Sequence, residues 1–212
     1  VYEAALTALR ARGLVYACNC SRSDIASVVA PRAELRYPGT CANKGLRERP
    51  GLGLRLRLEP SVERFDDLRH GSLEQRPSEQ CGDLLVRDRE GNWTYQFAVT
   101  VDDYAQGVTL VIRGDDLLAS TGRQIQLARL LGRVAPPRFL HHALLMETPA
   151  QKLSKAEGAT GVRELRMLGL TPAEVVGRAA RASGLVAHNR AVTARQVVDL
   201  VAGFGRPSSD RR

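Results

Sequence analysis

The sequence predicts an α/β protein in which a small, strand-rich unit precedes the α/β part and a helical region follows it. Three observations carry this expectation. A short apolar, β-branched run, Val108 to Ile112, is broken by Arg113-Gly114-Asp115-Asp116, and Ser120 to Leu131 then carries Ile125, Leu127, Leu130 and Leu131 in a helical pattern, giving strand, loop and helix in succession. Turn formers dominate from Cys18 to Pro60, apart from Leu52 to Leu58, where Leu54, Leu56 and Leu58 alternate with Arg55 and Arg57 as on a half-buried strand. From Gly158 onward the chain reads as helical, with Thr171-Pro172-Ala173-Glu174 and Thr193-Ala194-Arg195-Gln196 both matching a capping box, the first with proline at N1. With 212 residues, 43% of them hydrophobic, the chain has enough apolar material for one large domain or two small ones.

Taken in order, the first element is a helix over Tyr2 to Arg12, with Tyr2, Ala5, Leu6 and Leu9 at helical spacing and Gly13 as its C-terminal cap. It starts without a capping residue and the chain has no initiator Met, so the true start is expected upstream. Leu84 to Arg87 and Trp93 to Phe97 flank Asp88-Arg89-Glu90-Gly91-Asn92 and read as the arms of a hairpin. Residues 15 to 90 thus form the irregular, strand-rich unit. Pro136-Pro137 resets the chain, His142 to Met146 reads as a further buried strand, and the tail Gly205 to Arg212 is expected to be disordered.

Lys and Arg number 31 against 23 Asp and Glu, and the resulting +8 favours a polyanionic partner, with scattered surface charge as the plain alternative. No apolar run approaches the roughly 20 residues that a membrane span needs, and the first residues do not read as a signal peptide. A cytoplasmic protein without membrane contact is expected. Four cysteines do not make a disulfide framework here, and the grouping of Cys18, Cys20 and Cys41 suits a metal in a reducing compartment.

Cys18-Asn19-Cys20 and Cys41 offer three soft ligands that fit one zinc ion, the alternative being small buried hydrophobes. Two residues compete for the fourth position. Tyr37 lies a turn from Cys41, although a phenol with pKa of about 10 is a poor ligand unless the metal lowers it; His70 is the chemically ordinary choice. Lys152-Leu153-Ser154-Lys155 brings two ammonium groups and a hydroxyl suited to nucleotide phosphates, against the plain reading of a solvated basic loop. Arg113 follows an apolar strand and so emerges at its carboxyl end, where open α/β sheets bind ligands and a guanidinium can grip a carboxylate. Tyr95, Asp102 and Asp103 precede the same strand, and His141-His142 is assigned to packing or a strand end.

The order of three segments carries a resemblance: Tyr95-Gln96-Phe97-Ala98-Val99-Thr100-Val101-Asp102-Asp103, then Val108-Thr109-Leu110-Val111-Ile112-Arg113-Gly114-Asp115-Asp116-Leu117-Leu118, then Lys152-Leu153-Ser154-Lys155. Together they resemble the catalytic domain of the class I glutamyl-tRNA synthetases, from Val1 to about Leu185. Cys18-Asn19-Cys20 with Tyr37-Pro38-Gly39-Thr40-Cys41 resembles the zinc site of the short branch of that group, where a tyrosine is itself a ligand. This resemblance places Tyr37 above His70 as fourth ligand of one structural Zn2+. It also implies that Tyr95 and Arg113 bind glutamate and that Lys155 is the catalytic ATP-binding lysine, with Lys152 and Ser154 beside it. Leu153 and Ala156 depart from the family's Lys-Met-Ser-Lys-Ser loop but leave both lysines and the hydroxyl in place.

The implied activity is activation of glutamate by ATP, with Mg2+, to an acyl adenylate, then transfer to the queuosine base in the anticodon of tRNA(Asp), by a monomer. The implied architecture is a class I aminoacyl-tRNA synthetase-like Rossmann domain. Residues 1–14 end its first half, 15–90 form a zinc-bearing insertion, 91–156 form the second half with the Lys-Leu-Ser-Lys loop, and 157–204 are helical. The rest of the first half, with a His-Ile-Gly-His-like signature, is expected before Val1, so the piece alone is expected to be inactive. Two other readings stand beside this one: a fragment of an ordinary glutamyl-tRNA synthetase that charges tRNA(Glu), and a zinc-stabilised RNA-binding module without chemistry.

Overall fold

The computed structural model describes residues 1–29, 34–144, 146–148, 151–152 and 161–204, so the expected disordered tail lies outside the described residues. The described chain divides into two units, Val1–His142 and Ala143–Arg212.

In the first unit, helix α1 (Tyr2–Ala11) buries Leu6 and Leu9 completely, as their spacing requires. Gly13 adopts φ +68°, and the N–H groups of Gly13 and Leu14 then close on the carbonyls of Arg10 and Leu9, which stops the helix. Strand β1 (Val15–Cys18) leads to helix α2 (Arg22–Val28), which starts at a capping box between Ser21 and Asp24. Strands β2 (Gly53–Leu56), β3 (Glu63–Asp67) and β4 (Gly71–Gln75), helix α3 (Pro77–Gln80) and strand β5 (Leu84–Arg87) follow. After them come helix α4 (Tyr95–Ala105), strand β6 (Leu110–Gly114), a 3-10 turn at Asp115–Ser120, helix α5 (Thr121–Leu130) and strand β7 (Arg138–His142).

Two sheets result. The first is antiparallel, in the order β1-β2-β5, and its apolar face packs Ala17, Leu54, Leu56, Leu84 and Val86 against Leu6 and Leu9 of α1 and Phe97 and Val101 of α4. The second has the order β4-β3-β7-β6, with β3, β7 and β6 mutually parallel, and α5 packs on it through Ile125 against Phe65 and Phe139. The connection β6–α5–β7 is the β-α-β unit that the run of strand, loop and helix predicted.

Four expectations shift in detail. The stretch from 15 to 90 is shared between the two sheets, because β3 pairs with β7 and β4 pairs with β3, neither of them with β2. Only one arm of the expected hairpin is a strand: Arg87 and Trp93 make a single bridge, and Tyr95 opens α4, whose buried Phe97, Thr100 and Val101 lie at helical spacing. The β-branched residues of that segment had disguised the period. The strand expected at His142 to Met146 is β7, four residues earlier, since Pro136-Pro137 ends the preceding turn and Phe139 and His141 face inward. Finally, β2 is buried on both faces, and Arg55 is 7% exposed although it occupies the polar phase of the alternation.

The second unit contains a short antiparallel pair, β8 (Met146–Thr148) with β9 (Gln151–Lys152), and helices α6 (Val162–Met167), α7 (Pro172–Ala182) and α8 (Ala194–Phe204). Both expected capping boxes form: Thr171 caps Glu174 and Thr193 caps Gln196, each with the return bond. Among the described residues no helix is long and apolar enough to cross a membrane.

Candidate functional site

Sheet register brings three distant residues together. Arg113 on β6 pairs directly with His141 on β7, and Asp67, the last residue of β3, pairs with Phe139 two residues before His141. Paired residues of parallel strands share a face, so Asp67, His141 and Arg113 stand in line across β3, β7 and β6. All three lie at the carboxyl ends of their strands, the edge at which open α/β sheets take their ligands.

Arg113 is 8% exposed. Its Nε donates to His141 Nε2 at 2.9 Å, and its terminal nitrogens donate to Gln124 Oε1 at 2.6 Å and Thr121 Oγ1 at 2.8 Å. The Gln124 amide is turned the right way because its nitrogen donates to Gln96 Oε1 at 2.6 Å. All three acceptors are uncharged. Among the described residues no carboxylate forms an ion pair with Arg113, and burial lowers its pKa against the opposing influence of Tyr95 and Asp103. Tyr95, the first residue of α4 and 54% exposed, is thus one of the groups that act on the guanidinium.

Asp67 closes the line. Its Oδ2 takes the backbone N–H of His141 at 3.0 Å and His141 Nδ1 at 2.7 Å, while Oδ1 takes the N–H groups of Arg69 and His70, both at 2.9 Å. Burial alone would raise this carboxyl; the bond from His141 and the three backbone donors outweigh it and hold the pKa at about 2. His70 turns away to Asp115, 2.7 Å from its Oδ1.

The second constellation lies where β1 ends. The Sγ atoms of Cys18, Cys20 and Cys41 fall within 4.8 Å of one another, and those of Cys20 and Cys41 are 3.5 Å apart. Thiolates bound tetrahedrally at about 2.3 Å from zinc stand roughly 3.8 Å apart, so the donor set fits a single ion with small adjustments. Tyr37, 3% exposed, places its hydroxyl 3.4 Å from Cys18 Sγ and accepts the Cys41 backbone N–H at 2.8 Å. Of the two candidates for the fourth position, the structure brings Tyr37 into the cluster and leaves His70 outside it.

Tyr37 is seated by backbone contacts. Its N–H donates to Cys81 O at 2.9 Å, and Gly82, at φ +67°, lies so close that a Cβ there would meet Tyr37 O at 2.0 Å. Burial and the bond to Cys18 keep the phenol protonated well above its usual range. Cys20 is pushed up to about 11 by burial, then by its bond with Cys41. Cys41 is the readier thiolate: burial opposes ionisation, but hydrogen bonds from the Asn19 backbone and from Tyr37 lower it to about 7. Arg55 completes the group, its guanidinium 3.6 Å over the Tyr37 ring, with Nε 3.4 Å from Cys18 Sγ and one terminal nitrogen 2.8 Å from Asp83 O.

Of the predicted phosphate-binding residues, Ser154 and Lys155 lie outside the described residues, and Lys152 is the last residue of β9, paired with Met146. The residues that sequence reasoning missed are Asp67, Thr121, Gln124 and His141 around Arg113, and Arg55 at the cluster. Strand register joins Asp67 and His141 to Arg113, the packing of α5 on the sheet adds Thr121 and Gln124, and the second covered face of β2 explains Arg55.

A parallel β-α-β sheet with charged side chains gathered at its carboxyl edge, in one chain with a thiol cluster, defines the class: an α/β domain with a candidate ligand site at the strand ends and a candidate metal site. The fold matches a glutamate–tRNA ligase from Elizabethkingia meningosepticum with a TM-score of 0.65 over 91% of this chain and 45% of that one, at 19% identity. A glutamate–tRNA synthetase from Elizabethkingia anophelis gives 0.56 over 80% and 36%, also at 19% identity. Residues 2–198 match the family described as tRNA synthetases class I (E and Q), catalytic domain, and the chain belongs to that family. Among named relatives, the glutamyl-Q tRNA(Asp) synthetase of Bordetella bronchiseptica is 45% identical over 177 residues, 79% of this chain and 55% of the relative. That of Ralstonia nicotianae is 42% identical over 195 residues, 87% and 60% respectively. The chain thus spans little more than half the length of these relatives.

Proposed function

We propose that the protein carrying this chain activates glutamate with ATP and transfers it to the queuosine base of tRNA(Asp), in the cytoplasm. The observation that carries the first half of this reading is Arg113: a buried guanidinium whose bonded partners are all neutral. A buried cation without a bonded anion is costly, and a substrate carboxylate at the strand ends relieves that cost while the remaining N–H groups grip it. Tyr95 adds a phenol from the start of α4. The acceptor follows from the relatives, which are named for glutamyl-Q and tRNA(Asp), and the excess of +8 suits a polyanion.

Lys152, Ser154 and Lys155 are assigned to the ATP phosphates, with Lys155 stabilising charge on the departing pyrophosphate and Mg2+ accompanying the nucleotide. Adenylate formation needs no protein nucleophile, so the work is positioning and charge stabilisation. Cys18, Cys20, Cys41 and Tyr37 are assigned to one Zn2+. With all four positions filled from protein, that ion braces the loops and leaves no site for water.

The test uses the full-length gene product. Glutamate-dependent exchange of pyrophosphate into ATP is expected, with labelled glutamate then appearing on queuosine-containing tRNA(Asp) and not on tRNA lacking the modification. Label on tRNA(Glu) instead would point to an ordinary synthetase, and no exchange at all would overturn the enzyme reading. Elemental analysis is expected to find one zinc per chain.

A further inference from the structure

We infer that Asp67 and His141 are positioning residues for Arg113: the carboxylate fixes His141 as the neutral Nδ1–H tautomer, so that Nε2 is left as the acceptor that aims the guanidinium. This rests on the reading of Arg113 as the residue that grips glutamate.

The argument is one of donors and acceptors. Arg113 has only donors, so the His141 Nε2 that faces its Nε at 2.9 Å carries no proton. Thr121 Oγ1, which already accepts from Arg113, stands 3.3 Å from the same nitrogen and asks no proton of it. The ring hydrogen is therefore on Nδ1, where Asp67 Oδ2 receives it at 2.7 Å. Asp67 cannot turn to serve another tautomer, because its two oxygens also take the N–H groups of Arg69, His70 and His141. A second tie holds the same corner, since Arg69 donates to Asp115 Oδ2 at 2.6 Å.

The fixed tautomer does two things for an anion site. An imidazole with its lone pair toward Arg113 holds the guanidinium plane without neutralising it, whereas a carboxylate in the same place would form an ion pair and compete with the substrate. It also uses Nε, the donor nearest the chain, and so directs the terminal nitrogens outward to Gln124, Thr121 and a ligand. Asp67 exerts its effect from one residue away, as outer-shell carboxylates do on ligating histidines.

The decisive measurement needs no substitution. In full-length protein labelled with 15N-histidine, the long-range proton–nitrogen spectrum of His141 is expected to show a protonated Nδ1 and an unprotonated Nε2; the opposite pattern overturns the inference. Equilibrium titration with L-glutamate adds the functional readout, with L-glutamine as control. Asp67→Asn must present either an NH2 group to His141 Nδ1, which drives the proton to Nε2 against Arg113, or the same group to the Arg69 and His70 N–H donors. It is expected to change the His141 tautomer and weaken glutamate about tenfold, the scale of outer-shell effects. His141→Gln, which restores an acceptor near Nε2 without the bond to Asp67, is expected to recover part of that loss. If both variants bind glutamate as the parent does while Arg113→Gln weakens it, the positioning role falls and the glutamate reading stands. If Arg113→Gln also binds normally, the glutamate reading itself falls, and the tautomer still decides the network.

Discussion

Arg55 and Arg113 are both buried on β-strands, at 7% and 8% exposure, and they are used in opposite ways. Arg55 sits in the middle of an antiparallel sheet and faces groups assigned above as metal ligands: Cys18 Sγ and the ring of Tyr37. If the proposed Zn2+ is bound, three thiolates and a phenolate around it would carry net negative charge, which Arg55 would offset. Arg113 sits at the end of a parallel strand and its hydrogen-bonded acceptors are neutral, with Asp103 and Asp116 acting on it only through their charge; in the proposed reading its own charge is kept for a substrate carboxylate. Burial therefore does not say what a guanidinium is for; the charge of its bonded partners does.

The largest expected effect falls on the thiol region. Stripping the metal with a strong chelator is expected to lower the melting temperature by on the order of 10 °C, because structural zinc contributes several kcal/mol of folding energy. Calorimetry with and without chelator checks this, and an unchanged melting curve would remove the distinction between the two regions. Gly82→Ala, which combines φ +67° with a 2.0 Å approach to Tyr37 O, is expected to destabilise by about 3 kcal/mol and to reduce zinc content. Denaturant unfolding and metal analysis read both quantities.

The comparison is sharpened by substituting each arginine with methionine. Arg113→Met is expected to weaken glutamate about a hundredfold, while stability changes by within about 1 kcal/mol, since lost hydrogen bonds oppose the removal of a buried cation. Arg55→Met is expected to lower zinc affinity and leave glutamate affinity alone. A crossed result, with Arg55→Met affecting glutamate alone, would break the contrast. Acid gives a smaller effect. Asp67 is held at about 2 from an ordinary 3.8, so its contribution is present above pH 4 and is lost as pH falls toward 2. It amounts to about 2 kcal/mol. Stability measured across that window should fall less steeply in Asp67→Asn. Least of all, Asp115→Ala removes exposed pairs with Arg69 and His70 and is expected to cost below about 1 kcal/mol.

Much of this was legible in the chain. The cysteine spacing and the Tyr37-Pro38-Gly39-Thr40-Cys41 turn are local, and the structure brings Tyr37 to the thiols as that spacing allows. Both C-terminal capping boxes and the Gly13 cap are local too, and they form as read. Arg113 at a strand end could be read because an apolar run followed by a break is a one-dimensional signal. Its surroundings could not. Asp67 and His141 are 74 residues apart, and nothing near either one announces the other. His141 in sequence is one of two adjacent histidines at the end of a strand, with packing as the plain expectation.

What the sequence alone determined, then, are the features made within a few residues: caps, turns, the Cys18-Asn19-Cys20 pair and the polarity of each strand end. The tertiary structure decided which strands lie side by side. Setting β7 between β3 and β6 aligned a carboxylate, an imidazole and a guanidinium, and covering β2 on its second face turned Arg55 inward. The reason is physical: hydrogen bonds along a helix or turn are paid for locally, whereas strand order is fixed by which apolar faces can be buried together, a property of the whole chain.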